Sequence, residues 1–212
     1  MNARQSQQTP TRHRTASDQV APALLQAAQT VLDRDGQRGV TIRAVAREAA
    51  VAPMSVYNRF GSRDGLLVVL AGRAFAELAG SLVAPADLTP EQRFRQICCG
   101  YRTFALTHPE RYALIFSIGS PVKLPESQEA SDRGNEAFGY LVDAVEDLNP
   151  SHAISRGNRN ATEAAQIVWN ALHGAITIEH ANIGRTDNPS DTYEHMITLL
   201  LRGLRDIDEP TD

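Results

Sequence analysis

Apolar side chains recur every three or four residues through most of this 212-residue chain. In the first such segment, Val20, Leu24, Ala27, Ala28 and Val31 fall on one face of a helix. No segment alternates apolar and polar residues as a half-buried strand does. With 42% hydrophobic residues, the chain can bury a core without disulfides or metal ions. The predicted fold class is therefore all-α.

Capping residues, prolines and glycines divide this pattern into separate helices. The predicted helices span residues 17–36, 42–49, 53–59, 63–82, 110–118, 130–148, 161–183 and 191–207, with one more from 89 to the break at 108–109. Residues 1–16 lack periodicity and are predicted to form a disordered arm. A loop is expected over 119–125, and polar residues 149–160 are typical of a flexible connection.

Cysteine usage and hydropathy indicate a soluble cytoplasmic protein. The only cysteines, Cys98 and Cys99, are adjacent and are not expected to bridge each other, so buried packing is preferred to redox sensing. No run of 18 apolar residues indicates a membrane span, and residues 1–17 contain no apolar secretion signal. We therefore expect no membrane partner.

The formal net charge of −4 hides an asymmetry along the chain. Residues 1–80 carry 10 Arg against 6 Asp and Glu, a net of +4. Residues 81–212 carry 11 Arg and Lys against 19 Asp and Glu, a net of −8. A basic first third indicates that this end meets a polyanion, with chance as the alternative.

Residues 41–57 have the spacing of a helix-turn-helix motif. Ala46 is small where two helices would cross, and Val51 and Val56 would lock the second helix across the first. In such a motif the exposed N-terminal residues of the second helix face base edges in a major groove. Here the exposed positions of the second helix are Pro53, Met54, Ser55, Asn58 and Arg59, and those at its N-terminal end would face the bases. Packing of two short helices in a bundle is the alternative.

Four segments in order strengthen the motif: Gly39-Val40-Thr41-Ile42, residues 46–51, Tyr57-Asn58-Arg59-Phe60 and Arg63-Asp64-Gly65-Leu66-Leu67. Together they resemble the N-terminal DNA-binding domain of TetR-family transcriptional regulators. That resemblance implies an all-helical homodimeric repressor, in which three helices bind a double-stranded DNA operator and the others form an effector pocket and dimer interface. The implied domains are the arm 1–16, a DNA-binding domain 17–62 and a ligand-binding and dimerisation domain 63–212.

The resemblance also implies which residues contact DNA. By this resemblance, the residues expected to contact DNA are Thr41, Arg43, Ser55, Tyr57, Asn58 and Arg63. We expect Pro53 and Met54 to touch thymine methyl groups. For Arg47, a solvated helix face is the preferred interpretation. On the arm, Arg4, Arg12 and Arg14 either contact phosphates or a minor groove, or belong to a plain tail.

Three positions depart from the family pattern. Ala50 stands where the turn usually has glycine, which costs roughly 1 kcal/mol if the backbone there is left-handed. Ala52 replaces the usual capping Ser or Thr, which also costs about 1 kcal/mol, partly offset by Pro53. Arg63 replaces lysine and can approach a phosphate bidentately.

The C-terminal part shows a second, less specific resemblance. Residues 108–116 and Trp169-Asn170-Ala171-Leu172-His173-Gly174 are similar to the ligand-binding domain of a TetR subgroup with a Trp…His-Gly signature. Aromatic residues and one histidine around a helical cavity suit an apolar or aromatic effector with one polar anchor. The alternative for each residue singly is core packing. The candidate ligand-binding residues are Tyr101, Phe104, Tyr112, Phe116, Phe138, Trp169 and His173.

The last two predicted helices are apolar over more than half of their circumference. A helix of that kind is buried on two sides. We therefore expect a homodimer through these two helices, with a larger monomeric core as the alternative.

No catalytic constellation is recognisable, so the chain is not expected to be an enzyme. Ser120-Pro121-Val122-Lys123 matches S-x-x-K only by chance, because it lies between prolines rather than at a helix start. His173 and His180 lack further ligands at helical spacing, so neither a metal nor another cofactor is expected. The predicted function is a ligand-responsive repressor that binds a palindromic operator as a dimer. The alternative is a helical ligand-binding or scaffold dimer that has lost specific DNA binding.

Overall fold

The computed structural model describes residues 14–116, 128–148 and 161–205, and all regular structure within those ranges is α-helix. The all-α prediction is confirmed. In chain order the helices are α1 Arg14–Gly39, α2 Ile42–Glu48, α3 Pro53–Phe60, α4 Arg63–Leu82, α5 Pro90–Thr107, α6 Pro109–Phe116, α7 Gln128–Leu148, α8 Ala161–His180 and α9 Pro189–Arg205.

Three boundaries differ from the sequence prediction by three residues. Helix α1 begins at Arg14, inside the segment predicted as an arm, and residues 1–13 lie outside the described residues. Gly36 breaks α1 near the expected end, with φ 66° and ψ 179°, although helical geometry resumes up to Gly39. Helix α8 ends at His180 rather than at residue 183, because Asn182 takes a positive φ of 52°. The predicted segments 119–125 and 149–160 also lie outside the described residues.

The chain divides into two compact units at residues 70 and 71. In the first unit, α2 packs between α1 and α3. The Thr41 hydroxyl accepts a hydrogen bond from the Ala44 amide at 3.1 Å and so caps α2. Ala46 is 1% exposed, and Val56 is fully buried, as the helix-turn-helix spacing requires. These contacts fix the second helix of the motif by its buried face.

The turn between α2 and α3 contains a strained residue. Ala50 has a φ of 54°, in the left-handed region that favours glycine. The hydrogen bond from the Val51 amide to the Ala46 carbonyl, at 2.9 Å, closes this turn. Because the backbone here is left-handed, alanine at this position costs roughly 1 kcal/mol relative to glycine.

Substituting Ala50→Gly is expected to raise the free energy of unfolding by about 1 kcal/mol, because it relieves the left-handed strain. Urea denaturation followed by circular dichroism measures this change. The neighbouring Ala49→Gly is the matched control. Ala49 has a φ of −83°, which suits alanine, so glycine there should leave the stability unchanged or lower it. An Ala50→Gly variant no more stable than the parent would contradict the strain.

The second unit comprises the rest of α4 with α5 to α9. Helix α5 lies at its centre and packs against α6, α7, α8 and α9. A capping box starts α5: the Thr89 hydroxyl accepts from the Gln92 amide, and the Gln92 side chain accepts from the Thr89 amide at 2.9 Å. The largest side chains with almost no exposed surface in this core are Leu78, Phe94, Leu114, Leu172, Ile176 and Ile197.

Helix α4 is long and apolar enough to cross a membrane by length and composition, and within the described ranges it is the one helix of that kind. Of its most apolar window, 56% is buried inside the protein. Leu66, Leu67, Leu70, Phe75 and Leu78 are all at most 4% exposed. Most apolar residues of α4 are thus accounted for as core residues, with Val69, which is 42% exposed, as an exception.

Candidate functional site

The outer face of α3 presents large side chains that the core does not use. Met54 is 63% exposed and Tyr57 is 54% exposed, whereas Val56 between them is fully buried. Pro53 and Asn58 are exposed as well, and Ser55 is half-buried. All five residues that sequence reasoning placed toward DNA on this helix therefore share one accessible face. An exposed methionine and tyrosine side by side are more typical of a binding surface than of a solvated helix.

The N-terminus of α2 adds two further predicted contacts. Thr41 and Arg43 are both exposed. The Thr41 oxygen already accepts the capping bond from Ala44, but its hydroxyl hydrogen can still be donated outward. Unpaired amides at a helix N-terminus favour anions such as phosphate.

Arg63 has an internal role that sequence reasoning missed. Its Nε donates to the Val40 carbonyl oxygen at 2.8 Å, and its Nη2 donates to the Gln37 carbonyl oxygen at 2.8 Å. These carbonyls lie at the C-terminal end of α1, where helices leave acceptors unsatisfied. Arg63 therefore ties the start of α4 to the end of α1, and its role as a phosphate contact stays a prediction.

Ala52 leaves α3 without a side-chain cap, as the sequence indicated. No side-chain hydrogen bond is made at this N-cap, and Pro53 occupies the first turn instead. The start of α4 is capped normally, because the Ser62 hydroxyl accepts from the Gly65 amide at 3.0 Å. The starts of α2 and α4, on either side of α3, thus have the side-chain cap that α3 lacks.

A cavity lies in the second unit among helices α4 to α8. The empty space in and around it is about 380 Å³, a value that includes space open to solvent. Four of the seven predicted ligand-binding residues line it: Tyr101, Phe116, Phe138 and Trp169. The lining residues that sequence reasoning missed are Phe75, Leu78, Leu82, Ile97, Gly134, Ala137, Leu141 and Leu172.

The three other predicted residues do not line the cavity. Tyr112 and His173 lie behind Tyr101 and are joined by a hydrogen bond of 2.7 Å between the Tyr112 hydroxyl and His173 Nδ1. Phe104 is 3% exposed and packs against the His108 ring, with centroids 5.6 Å apart. Residue type alone cannot distinguish these second-layer residues from the lining.

Four side chains form a polar cluster at one side of the cavity. The Trp169 indole N–H donates to the Tyr101 hydroxyl at 2.9 Å, and that hydroxyl lies 3.3 Å from His173 Nδ1. Burial raises the pKa of Tyr101 to about 12 and also raises the pKa of Tyr112. Burial lowers the pKa of His173, so its imidazole is neutral near pH 7. The cluster is polar but uncharged.

Helices α8 and α9 expose apolar side chains on one stripe each. On α8, Ile167 is 48% exposed and Ile178 is 47% exposed, and Gly174 lies between them with open space around its Cα. On α9, Leu199 is 66% exposed, and a Cβ added at Gly203 would meet nothing within 4 Å. These residues recur at helical spacing, so each helix carries an apolar stripe outside the core.

The two cysteines have the environment of packing residues. Burial raises the pKa of the Cys98 thiol. Partial burial and a contact of 3.3 Å with a Glu194 carboxylate oxygen raise the pKa of Cys99 to about 11. Both thiols are therefore protonated near neutral pH, which makes them poor nucleophiles.

Two family models match the chain. Residues 24–70 match "Bacterial regulatory proteins, tetR family", and residues 94–200 match "Tetracyclin repressor-like, C-terminal domain". An HTH-type transcriptional regulator of Mycobacterium tuberculosis is 30% identical over 142 residues, which are 63% of this chain and 59% of that relative. The match thus spans less than two thirds of the relative's length.

Solved structures share the fold. A protein of unknown function from Rhodococcus sp. RHA1 has a TM-score of 0.73 and 24% identity, over 92% of this chain and 98% of that one. A TetR variant from Acinetobacter baumannii AYE, in complex with minocycline, has a TM-score of 0.62 and 17% identity, over 88% and 97% of the two chains. With one family model matched on each side of the unit boundary, the chain belongs to the TetR family of bacterial regulatory proteins.

Proposed function

We propose that this protein is a ligand-responsive transcriptional repressor that acts in the cytoplasm and binds a palindromic operator as a homodimer. The observation that carries the proposal is the exposed face of α3, where Met54 and Tyr57 have no role in the core. Membership of the TetR family supports DNA binding through this helix. The net charge of +4 over residues 1–80 favours association with a polyanion.

The proposed contacts divide into two kinds. Base edges and thymine methyl groups are read by Pro53, Met54, Ser55 and Asn58 at the exposed start of α3. Phosphate oxygens are bound from the flanks of the motif, and such contacts position the protein without reading sequence. The residues proposed for phosphate are Thr41, Arg43, Tyr57 and Arg63.

Two-fold symmetry follows from the proposed dimer. Pairing the exposed apolar stripes of α8 and α9 with those of a second copy would form a four-helix interface. Two copies of α3 would then enter successive major grooves, about one helical turn apart, which requires an operator with inverted half-sites. The open space around Gly174 supports this arrangement, since a partner helix could approach closely there.

The cavity in the second unit is proposed as the effector site. An effector regulates only if it binds one conformation better than another. In this proposal it favours a conformation of the dimer with a different separation of the two α3 helices. The minocycline complex of a protein with the same fold supports a small-molecule effector.

Substituting Arg43→Ala tests the DNA interface. The variant should bind DNA flanking its gene more weakly at every sequence, and the slope of log affinity against log salt should fall by about one, because one phosphate contact is lost. Gel-shift titrations at several salt concentrations measure both. Arg185→Ala, which removes the same charge from an exposed site in the second unit, is the control. Equal behaviour of the two variants would contradict the proposed contact.

A second candidate function is a helical ligand-binding dimer that has lost specific DNA binding. The strained turn at Ala50 and the missing side-chain cap at Ala52 favour it, because both weaken the presentation of α3. The same gel shifts decide between the two functions. A salt-sensitive, sequence-specific shift excludes this second candidate, and the absence of any such shift supports it.

A further inference from the structure

Among the residues that the structure describes, none that lines the cavity carries a charged side chain. Eleven of its twelve residues offer apolar surface or aromatic rings, or are glycine, and Tyr101 contributes a hydroxyl group. Glu77, on α4 beside the lining residues Phe75 and Leu78, is bound by Arg73 at 3.0 Å and by Arg111 at 2.7 Å. None of these twelve lining residues would therefore compensate a charge on the occupant, and an unpaired charge in an apolar site is strongly disfavoured.

The Tyr101 hydroxyl differs from the other polar groups of the cluster in its hydrogen-bond contacts. The Trp169 N–H can only donate, and it already donates to the Tyr101 oxygen at 2.9 Å. In the tautomer of neutral His173 that carries its proton on Nε2, Nδ1 has a single acceptor position, and the Tyr112 hydroxyl is the nearer donor at 2.7 Å. Tyr101 lies farther from the same nitrogen, at 3.3 Å. Of the two tyrosine hydroxyls, Tyr101 thus has the longer contact with the shared nitrogen.

Tyr101 is also the member of the cluster that combines a hydroxyl proton with a place in the cavity lining. An acceptor atom on a ligand would offer this proton a shorter and better aligned bond than the shared contact with His173. The ring contacts nearby favour a hydrocarbon or aromatic body: Phe138 and Phe116 lie 5.1 and 5.9 Å from the Trp169 ring, centroid to centroid.

We propose that the cavity binds an uncharged, largely hydrocarbon molecule with one hydrogen-bond acceptor, such as a carbonyl oxygen, which receives the Tyr101 hydroxyl proton. This inference rests on the proposed function, in which the cavity is the effector site. It sharpens that proposal in two ways: carboxylates and ammonium compounds are excluded, and Tyr101 rather than His173 is the polar anchor.

The test uses the full-length protein without DNA and three probes of matched carbon skeleton. They are 4-phenyl-2-butanone, butylbenzene and 4-phenylbutanoate, which carry a ketone, no acceptor and a carboxylate respectively. Trp169 is the one tryptophan in the sequence and lines the cavity, so its fluorescence reports binding directly. The ketone should bind roughly five- to tenfold more tightly than butylbenzene, which corresponds to one net neutral hydrogen bond. The carboxylate should bind at least about tenfold more weakly than the ketone.

Tyr101→Phe should remove the preference for the ketone and leave the affinity for butylbenzene within about twofold, because only the donor is lost. Tyr140→Phe, which removes a hydroxyl from α7 outside the lining, should keep the preference. A ketone preference that survives Tyr101→Phe, tightest binding of the carboxylate, or no fluorescence change with any probe would each overturn the inference. The assay contains no DNA, so loss of the proposed repressor function in gel shifts is a separate outcome.

Discussion

Substituting Gly100→Ala is expected to lower the free energy of unfolding by about 3 kcal/mol, near the upper end of the usual cost of overpacking. Gly100 is buried in α5, and a Cβ added there would overlap the carbonyl oxygen of Ser81 on α4. A backbone oxygen cannot rotate away as a flexible side chain can, so the two helices must separate. Urea denaturation at fixed protein concentration measures the loss.

Gly80→Ala is the matched control for this prediction. Gly80 lies in α4 close to the same contact, but its added Cβ meets nothing within 4 Å. Alanine is the better helix former, so this variant should gain up to about 1 kcal/mol. The same chemical change thus has opposite expected signs at two glycines. A Gly100→Ala variant as stable as Gly80→Ala would refute the close contact between α4 and α5.

Sequence reasoning found the helices because each leaves a local signal. Thr89, Pro90 and Glu91 mark a helix start in the sequence, and α5 begins where that signal predicts. The start of α1 was missed because residues 14–16 carry no apolar periodicity, although the structure continues the helix through them. Local signals also say nothing about which helix a glycine touches. The contact of Gly100 with Ser81 joins residues 19 positions apart and becomes visible only in three dimensions.

Residue type predicted which side chains lie near the cavity, but it did not predict which of them line it. Four of the predicted ligand-binding residues, all aromatic, line the cavity, but the lining residues Leu78 and Leu82 on α4 were not predicted. Their helical spacing predicts a buried face equally well whether the neighbouring space is filled or hollow. Arg63 shows the same ambiguity, since a guanidinium suits a phosphate or the carbonyls of Gln37 and Val40 equally well. Only coordinates separate these alternatives.

Substituting Leu199→Glu is expected to convert the proposed dimer into a monomer at micromolar concentration. Leu199 is 66% exposed on α9, so the change should cost the isolated chain little. In a two-fold interface the same substitution buries two unpaired carboxylates at once, which is strongly unfavourable. Ile178→Glu on α8, where the side chain is 47% exposed, should act in the same way. Sedimentation velocity measures the change in mass.

Loss of the dimer should also weaken operator binding by roughly two orders of magnitude or more, because the second α3 no longer binds at a high effective concentration. Val83→Glu separates this effect from a general response to added charge. Val83 is 54% exposed and lies outside both stripes, so this variant should remain dimeric and keep its operator affinity. If Leu199→Glu and Ile178→Glu sediment as dimers, the stripes of α8 and α9 do not form the interface. If all three variants bind the operator equally, dimerisation through these helices is not what presents α3 to DNA.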